Sequence, residues 1–176
     1  KVQKRDLETS DTKGQGSATL KDAEFEIISL NDNAVLVEGK LYSKNEVVKT
    51  ILTDIEGVAS TSADLLPYGK YRIEESKAPE GYLTNGAEPI EFEITEDGKI
   101  VDLTGADTSI YNQVKRGDLE GVKIGAGTHQ RLAGVPFRIT SKTTGESHII
   151  VTDDNGQFST SSDWASHKHN TNAGKT

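Results

Sequence analysis

No cysteine occurs in the 176 residues, so no disulfide braces this chain in any compartment. Aromatic residues make up only 6% and hydrophobic residues 33%, too few for one thick core but enough for thin β-sandwiches. No apolar run is long enough to cross a membrane as a helix. Helical patterning is scarce as well, because no stretch keeps an apolar i, i+3, i+4, i+7 spacing over three turns. No leader is visible at Lys1 and no sorting segment at Thr176, so the sequence reads as an excised or mature piece. The net charge of −8 argues against nucleic acid or an anionic membrane as the main partner.

The charge is unevenly spread. Acidic groups dominate residues 1–114, whereas residues 115–176 are nearly balanced. That shift predicts two modules, 1–114 and 115–176, joined near 114–121. Short alternating runs between Gly, Asn and Asp clusters predict strands at 2–6, 23–27, 34–38, 40–42, 47–53, 71–75, 90–94 and 109–114. Glu96-Asp97-Gly98 predicts a hairpin turn, with Ile100, Val101 and Leu103 on its return strand. In the second module the readings are a first strand within 117–124, inward Val135, Phe137 and Ile139, a strand at 148–152, and a turn at Asp153-Asp154-Asn155-Gly156. Beyond Phe158 the chain is rich in Ser, Thr, Asn and His, with a lone Trp164. The second module therefore looks incomplete.

Three strands carry a polar residue on an apolar face. With a period of two, Glu75 shares a face with Tyr71 and Ile73, Lys4 with Val2, and Asn112 with Ile110 and Val114. Burial disfavours both charged forms, leaving a nucleophilic lysine amine and a carboxyl able to donate and shuttle a proton. If the three converge, Lys4 can attack the Asn112 amide, expel ammonia and leave an isopeptide cross-link. The bland alternative is a buried hydrogen-bonded trio, or a side chain that snorkels at a sheet edge.

Lys4-x-Asp6, the inward Asn112 and above all Gly69-x-Tyr71-x-Ile73-x-Glu75-x-x-Ala78-Pro79-x-Gly81-Tyr82 resemble the Cna B-type, or SpaA-like pilin, domain. The resemblance covers residues 1–114, including Ala23-x-Phe25. It implies an all-β, transthyretin-like (inverse immunoglobulin-like) β-sandwich, followed by a partial second module of similar type. It also implies a cell-wall-anchored, extracellular surface protein or pilin of a Gram-positive bacterium. Its Lys–Asn isopeptide bond would have Lys4 as nucleophile, Asn112 as acceptor and Glu75 as catalytic acid. In the second module Gly117-x-Leu119-x-x-x-Lys123 resembles the first strand of the same domain and Leu132-Ala133-Gly134-Val135-x-Phe137 the second. No counterpart of the Glu75 segment follows, so no bond is expected at Lys123.

The expected role is structural: a stalk or adhesion module, with other domains of the same protein as partners. No enzyme activity beyond the single cross-linking event is expected, and no cofactor or metal. A ligand-binding adhesin domain contacting a host matrix protein or glycan is the alternative. Arg116-Gly117-Asp118 is the tripeptide integrins recognise, but a charged turn at the module joint explains it better. His129, His148, His167 and His169 lack the spacing of a metal site. The Asp153 turn lacks the later glutamate of a calcium loop. No carboxylate pair supports a glycosidase, and no phosphate-binding glycine loop is present.

Overall fold

A computed structural model describes residues 1–84, 87–142, 145 and 147–161. The chain divides into a first compact unit, Lys1–Lys115, and a second that begins at Arg116. The first unit contains β1 (Val2–Asp6), β2 (Glu24–Ser29), β3 (Val35–Val37), β4 (Lys40–Tyr42) and β5 (Val47–Leu52). After these come β6 (Val58–Ala59), β7 (Gly69–Lys77), β8 (Ile90–Ile94) and β9 (Ile110–Asn112). A single 3-10 turn, Ala106–Thr108, precedes β9. The fold is all-β, and among the described residues no helix is long and apolar enough to cross a membrane.

Two sheets make the sandwich. One is antiparallel in the order β5-β2-β7-β8; the other runs β6-β1-β9, with β1 antiparallel to β6 and parallel to β9. The core forms where their apolar faces meet. Val2, Ala59 and Ile110 from one sheet pack with Phe25, Ile27, Val48, Ile51, Tyr71 and Ile73 from the other. The period-two expectation for β2 holds, since Ala23, Phe25 and Ile27 are all buried. Strand β1 departs from clean alternation. Gln3 is buried along with Val2 and Lys4, because its side-chain amide donates to the carbonyls of Lys4, Glu56 and Gly57.

The expected hairpin around Gly98 is not formed. Gly98 does sit in a turn, with φ +69° and Lys99 N donating to the Glu96 carbonyl. The chain after this turn leaves β8 and crosses to the other sheet. Leu103 N donates to the Lys1 carbonyl, Gln3 N donates to the Leu103 carbonyl, and Leu103 bridges Val2 in parallel. The edge of β1 thus takes up the backbone groups that a return strand would have offered to β8.

The second unit contains β10 (Glu120–Val122), β11 (Pro136–Thr140), β12 (Ser147–Val151) and β13 (Gln157–Ser159). These pair as two antiparallel ribbons, β10 with β13 and β11 with β12. Their hydrogen bonds repeat those of the first unit. Thr53 Oγ1 donates to the Leu20 carbonyl and accepts from Ala23 N; Thr152 Oγ1 donates to the Leu132 carbonyl and accepts from Val135 N. The Asp54 carboxylate accepts from Glu56 N and Val58 N, just as Asp153 accepts from Asn155 N and Gln157 N. Lys4 N donates to the Gly57 carbonyl and Lys123 N to that of Gly156, both at 2.8 Å. Strands β10, β11, β12 and β13 therefore correspond to β1, β2, β5 and β6, and Lys123 stands at the position of Lys4. Among the described residues nothing after β13 corresponds to β7, β8 or β9.

Candidate functional site

Three strands from distant parts of the chain bring Lys4, Glu75 and Asn112 together. Lys4 lies in the middle of β1, between Val2 and Asp6 on the same face. Asn112 ends β9, the parallel neighbour of β1, where it pairs with Asp6. Glu75 comes from β7 in the opposite sheet, opposite Phe25 of β2. Ser76 is an extra residue in that ladder, because Glu24 already pairs with Lys77. This bulge ends the regular pairing of β7 just after Glu75. The Ser76 hydroxyl turns away to donate to Glu24 Oε1 at 2.7 Å.

The Glu75 carboxylate bridges the other two residues. Its Oε1 lies 2.9 Å from Lys4 Nζ, with both side chains fully excluded from solvent. Its Oε2 accepts from Asn112 Nδ2 at 2.6 Å. The second Nδ2 proton goes to the Leu83 carbonyl at 2.7 Å, and Asn112 Oδ1 is buried without a hydrogen-bond partner. The Phe25 ring lies under the Lys4 ammonium at 5.6 Å. Burial lowers the Lys4 pKa to about 8, against the opposing attraction of Glu75. A lysine amine, a carboxylate and an amide thus meet where solvent is excluded.

Beside the trio lies a cluster that strand patterning did not find. Asp6 is fully buried and accepts hydrogen bonds from Glu8 N, Thr9 N, the Thr9 hydroxyl, Gln15 Nε2 and the Tyr82 hydroxyl. Burial pushes its carboxyl up, but the bonds from Thr9, Tyr82, Gln15 and Glu8 outweigh that and hold it below the usual carboxylate range. Tyr82 is itself buried, packing with Leu20 and Val114, and its phenol is pushed up by burial and by Asp6. Gly81 precedes it at φ +89°, and a Cβ there would lie 2.4 Å from the Ala18 Cβ. The signal was present in the sequence, since Asp6 belongs to Lys4-x-Asp6 and Tyr82 closes the motif that begins at Gly69.

The remaining candidates fall elsewhere. Arg116, Gly117 and Asp118 lie in an exposed segment ahead of β10 that is not a turn, contrary to expectation. There Leu119 N and the Asp118 carboxylate both engage the Thr160 hydroxyl, which holds the segment extended. His129 sits in a loop at positive φ and His148 in β12; His167, His169 and Trp164 lie outside the described residues. Among the described residues no group of three His, Cys, Asp or Glu is placed to hold a metal ion. A separate cavity of about 800 Å³ opens in the first unit, lined by Leu65, Leu66, Phe92, Ile94 and Ile100 among others. Lys4, Glu75 and Asn112 do not line it.

Comparison with known proteins agrees with this architecture. The sequence model of the SpaA prealbumin-like fold domain matches residues 5–109. Among solved structures the Bacillus anthracis TIE protein is similar at 27% identity and a TM-score of 0.53, over 90% of this chain. The chain spans only 25% of that protein's length. The shaft pilin SpaA from Lactobacillus rhamnosus GG aligns over 90% of this chain and 79% of its own, at 16% identity and a TM-score of 0.35. No curated protein sequence matches. From its all-β sandwich and the match over most of its first unit, the chain belongs to the SpaA prealbumin-like fold domain family.

Proposed function

We propose that residues 1–114 form a load-bearing module of a Gram-positive cell-surface protein or pilus. Its first and last strands are joined by an isopeptide bond from Lys4 to Asn112, promoted by Glu75. The observation that carries this reading is the Glu75 carboxylate, in contact with both Lys4 Nζ and Asn112 Nδ2 where solvent is excluded. A buried ion pair is weak support for stability by itself, because desolvation offsets its attraction. Its value here is chemical.

The reaction begins when the Lys4 ammonium passes a proton to Glu75 Oε1. The freed amine attacks Asn112 Cγ, and negative charge collects on Oδ1. Glu75 delivers its proton to Nδ2 and takes a second from Nζ. The Cγ–Nδ2 bond then breaks, ammonia leaves, and Nζ keeps one hydrogen in the new amide. Glu75 ends protonated. Proximity replaces an activated substrate, and the dry pocket disfavours hydrolysis.

The mechanical consequence comes from topology. Strands β1 and β9 are parallel neighbours, so tension between the two ends of the module shears their ladder. A covalent bond from β1 to β9 takes that load before the hydrogen bonds do. Such a module, in series with other domains of the same protein, suits a stalk outside the cell, where a chain without cysteine has no disulfide to rely on. Intact-mass measurement tests the reading: one ammonia is missing from the unmodified chain and is retained in Lys4→Ala and in Glu75→Ala. The full calculated mass in the unmodified chain would overturn it.

A further inference from the structure

The Asn112 amide has two possible orientations, and only one suits the chemistry. With Nδ2 toward Glu75, the leaving nitrogen faces its proton source and Oδ1 is left open for the developing charge. Glu75 alone does not select this orientation, because a protonated carboxyl can also donate to an amide oxygen. The Leu83 carbonyl does select it. It can only accept, so the atom 2.7 Å away must be the amide nitrogen. Flipping the amide would set two oxygens against each other in a buried site.

Leu83 is held in turn from both sides. Its N–H donates to the Gln113 carbonyl, Tyr82 bridges Val114, and Lys115 N donates to the Gly81 carbonyl. These bonds tie the 81–83 segment to residues 113–115, directly after β9, but not to β1. The tie to β1 is the Tyr82 hydroxyl, which donates to Asp6 Oδ2 at 2.7 Å. Asp6 lies two residues beyond Lys4 and opposite Asn112. Beside the β1–β9 ladder, this hydrogen bond directly couples the strand that carries the nucleophile to the segment whose carbonyl orients the leaving group.

We propose that Tyr82 and Asp6 are positioning residues for the cross-linking step, acting through the Leu83 carbonyl on the Asn112 amide. This inference rests on the cross-link reading above. It assigns a task to the Gly81-Tyr82 end of the motif, which the three reacting residues leave unexplained.

The test tracks loss of ammonia by intact mass in chain newly made by cell-free synthesis, comparing the unmodified sequence, Tyr82→Phe and Val48→Ala. Val48 is buried in the core on β5, a strand that carries none of the reacting residues, and its truncation supplies a destabilised control. Tyr82→Phe is expected to slow cross-linking by about tenfold to a hundredfold, the penalty typical of a misplaced reacting group. The pH at which the rate changes should stay put, because Lys4 sets it, and Val48→Ala should keep the unmodified rate. A Tyr82→Phe rate equal to that of Val48→Ala overturns the positioning role and leaves the cross-link reading standing. Full mass in the unmodified chain overturns both. A second readout uses a Lys4→Ala background, where Asn112 remains unreacted. There, adding Tyr82→Phe should speed exchange of the Asn112 side-chain amide protons, and unchanged exchange would count against the proposal.

Discussion

The two units share a hydrogen-bonded frame but surround their lysines differently. Thr53 and Thr152, Asp54 and Asp153, and Lys4 and Lys123 make the same backbone contacts in each. Lys4 is nonetheless fully buried against Glu75, whereas Lys123 is partly exposed. The difference lies in β7 and β9, which supply Glu75 and Asn112 and close the first unit over its lysine. The frame is local and repeats with the sequence; the site is non-local and, among the described residues, is found only in the first unit, where the later strands are present.

Core packing shows the same division with different residues. Val2 pairs with Ala59 in the first unit, and the corresponding pair in the second is Gly121 with Phe158. A Cβ on Gly121 would lie 2.5 Å from the Phe158 ring, so the large residue has moved from one strand to its neighbour. Phe158 then stacks on Phe137 at 4.7 Å, whereas the Phe137 counterpart in the first unit, Phe25, lies beneath the Lys4 ammonium.

The comparison is broken most forcefully at the lysines. Under the proposed cross-link, Lys4→Ala is expected to lose the closure of a loop of ~100 residues, about 4–5 kcal/mol by analogy with a disulfide. It also strands a buried carboxylate. Lys123→Ala is expected to stay within about 0.5 kcal/mol, as for an exposed substitution. Denaturant melts of the two variants check this; equal losses would mean that the frame, not the cross-link, stabilises the first unit.

Next in size is the pH dependence of cross-linking. Below about pH 8 Lys4 holds its proton, and above it that proton is lost. If Glu75 must hand this proton to the leaving nitrogen, the rate stays level up to about pH 8. It then falls about tenfold per pH unit as the protonated fraction declines. A rate that instead climbs to a plateau above pH 8 would make lysine deprotonation the controlling event and remove Glu75 as the acid.

Two smaller changes probe the shared frame. Gly121→Val should destabilise the second unit by clashing with Phe158, and adding Phe158→Ala should recover part of the loss, with a coupling of about 0.5–3 kcal/mol. Additive losses would mean the two positions do not compensate. Thr53→Val and Thr152→Val each remove a hydroxyl that serves two backbone groups, at about 1–3 kcal/mol. The loss should be smaller for Thr152, whose partners are less buried.

What the sequence made legible divides along the same line. Strands with clear alternation, such as β2, β7 and β8, appear where the period-two pattern puts them, and inward Lys4, Glu75 and Asn112 are visible because they violate it. Strand β6 is only two residues long, too short for any period to register. The crossing of the 100–103 segment to β1 depends on which edge is open, and a turn motif at Gly98 carries no such information. Gln3 is buried through hydrogen bonds to a loop that no alternation encodes, and the loop and Tyr82 donors that satisfy inward Asp6 are equally invisible to it. Convergence of the trio also lay beyond periodicity, because each residue reports only its own face.

Because the proposed cross-link would be covalent, a proteolytic digest of the unmodified chain tests it most directly. The expected product is a branched peptide in which the segment bearing Lys4 is joined to the one bearing Asn112, lighter than their sum by one ammonia and absent from Glu75→Ala. Recovery of the two segments as separate, unmodified peptides would contradict it.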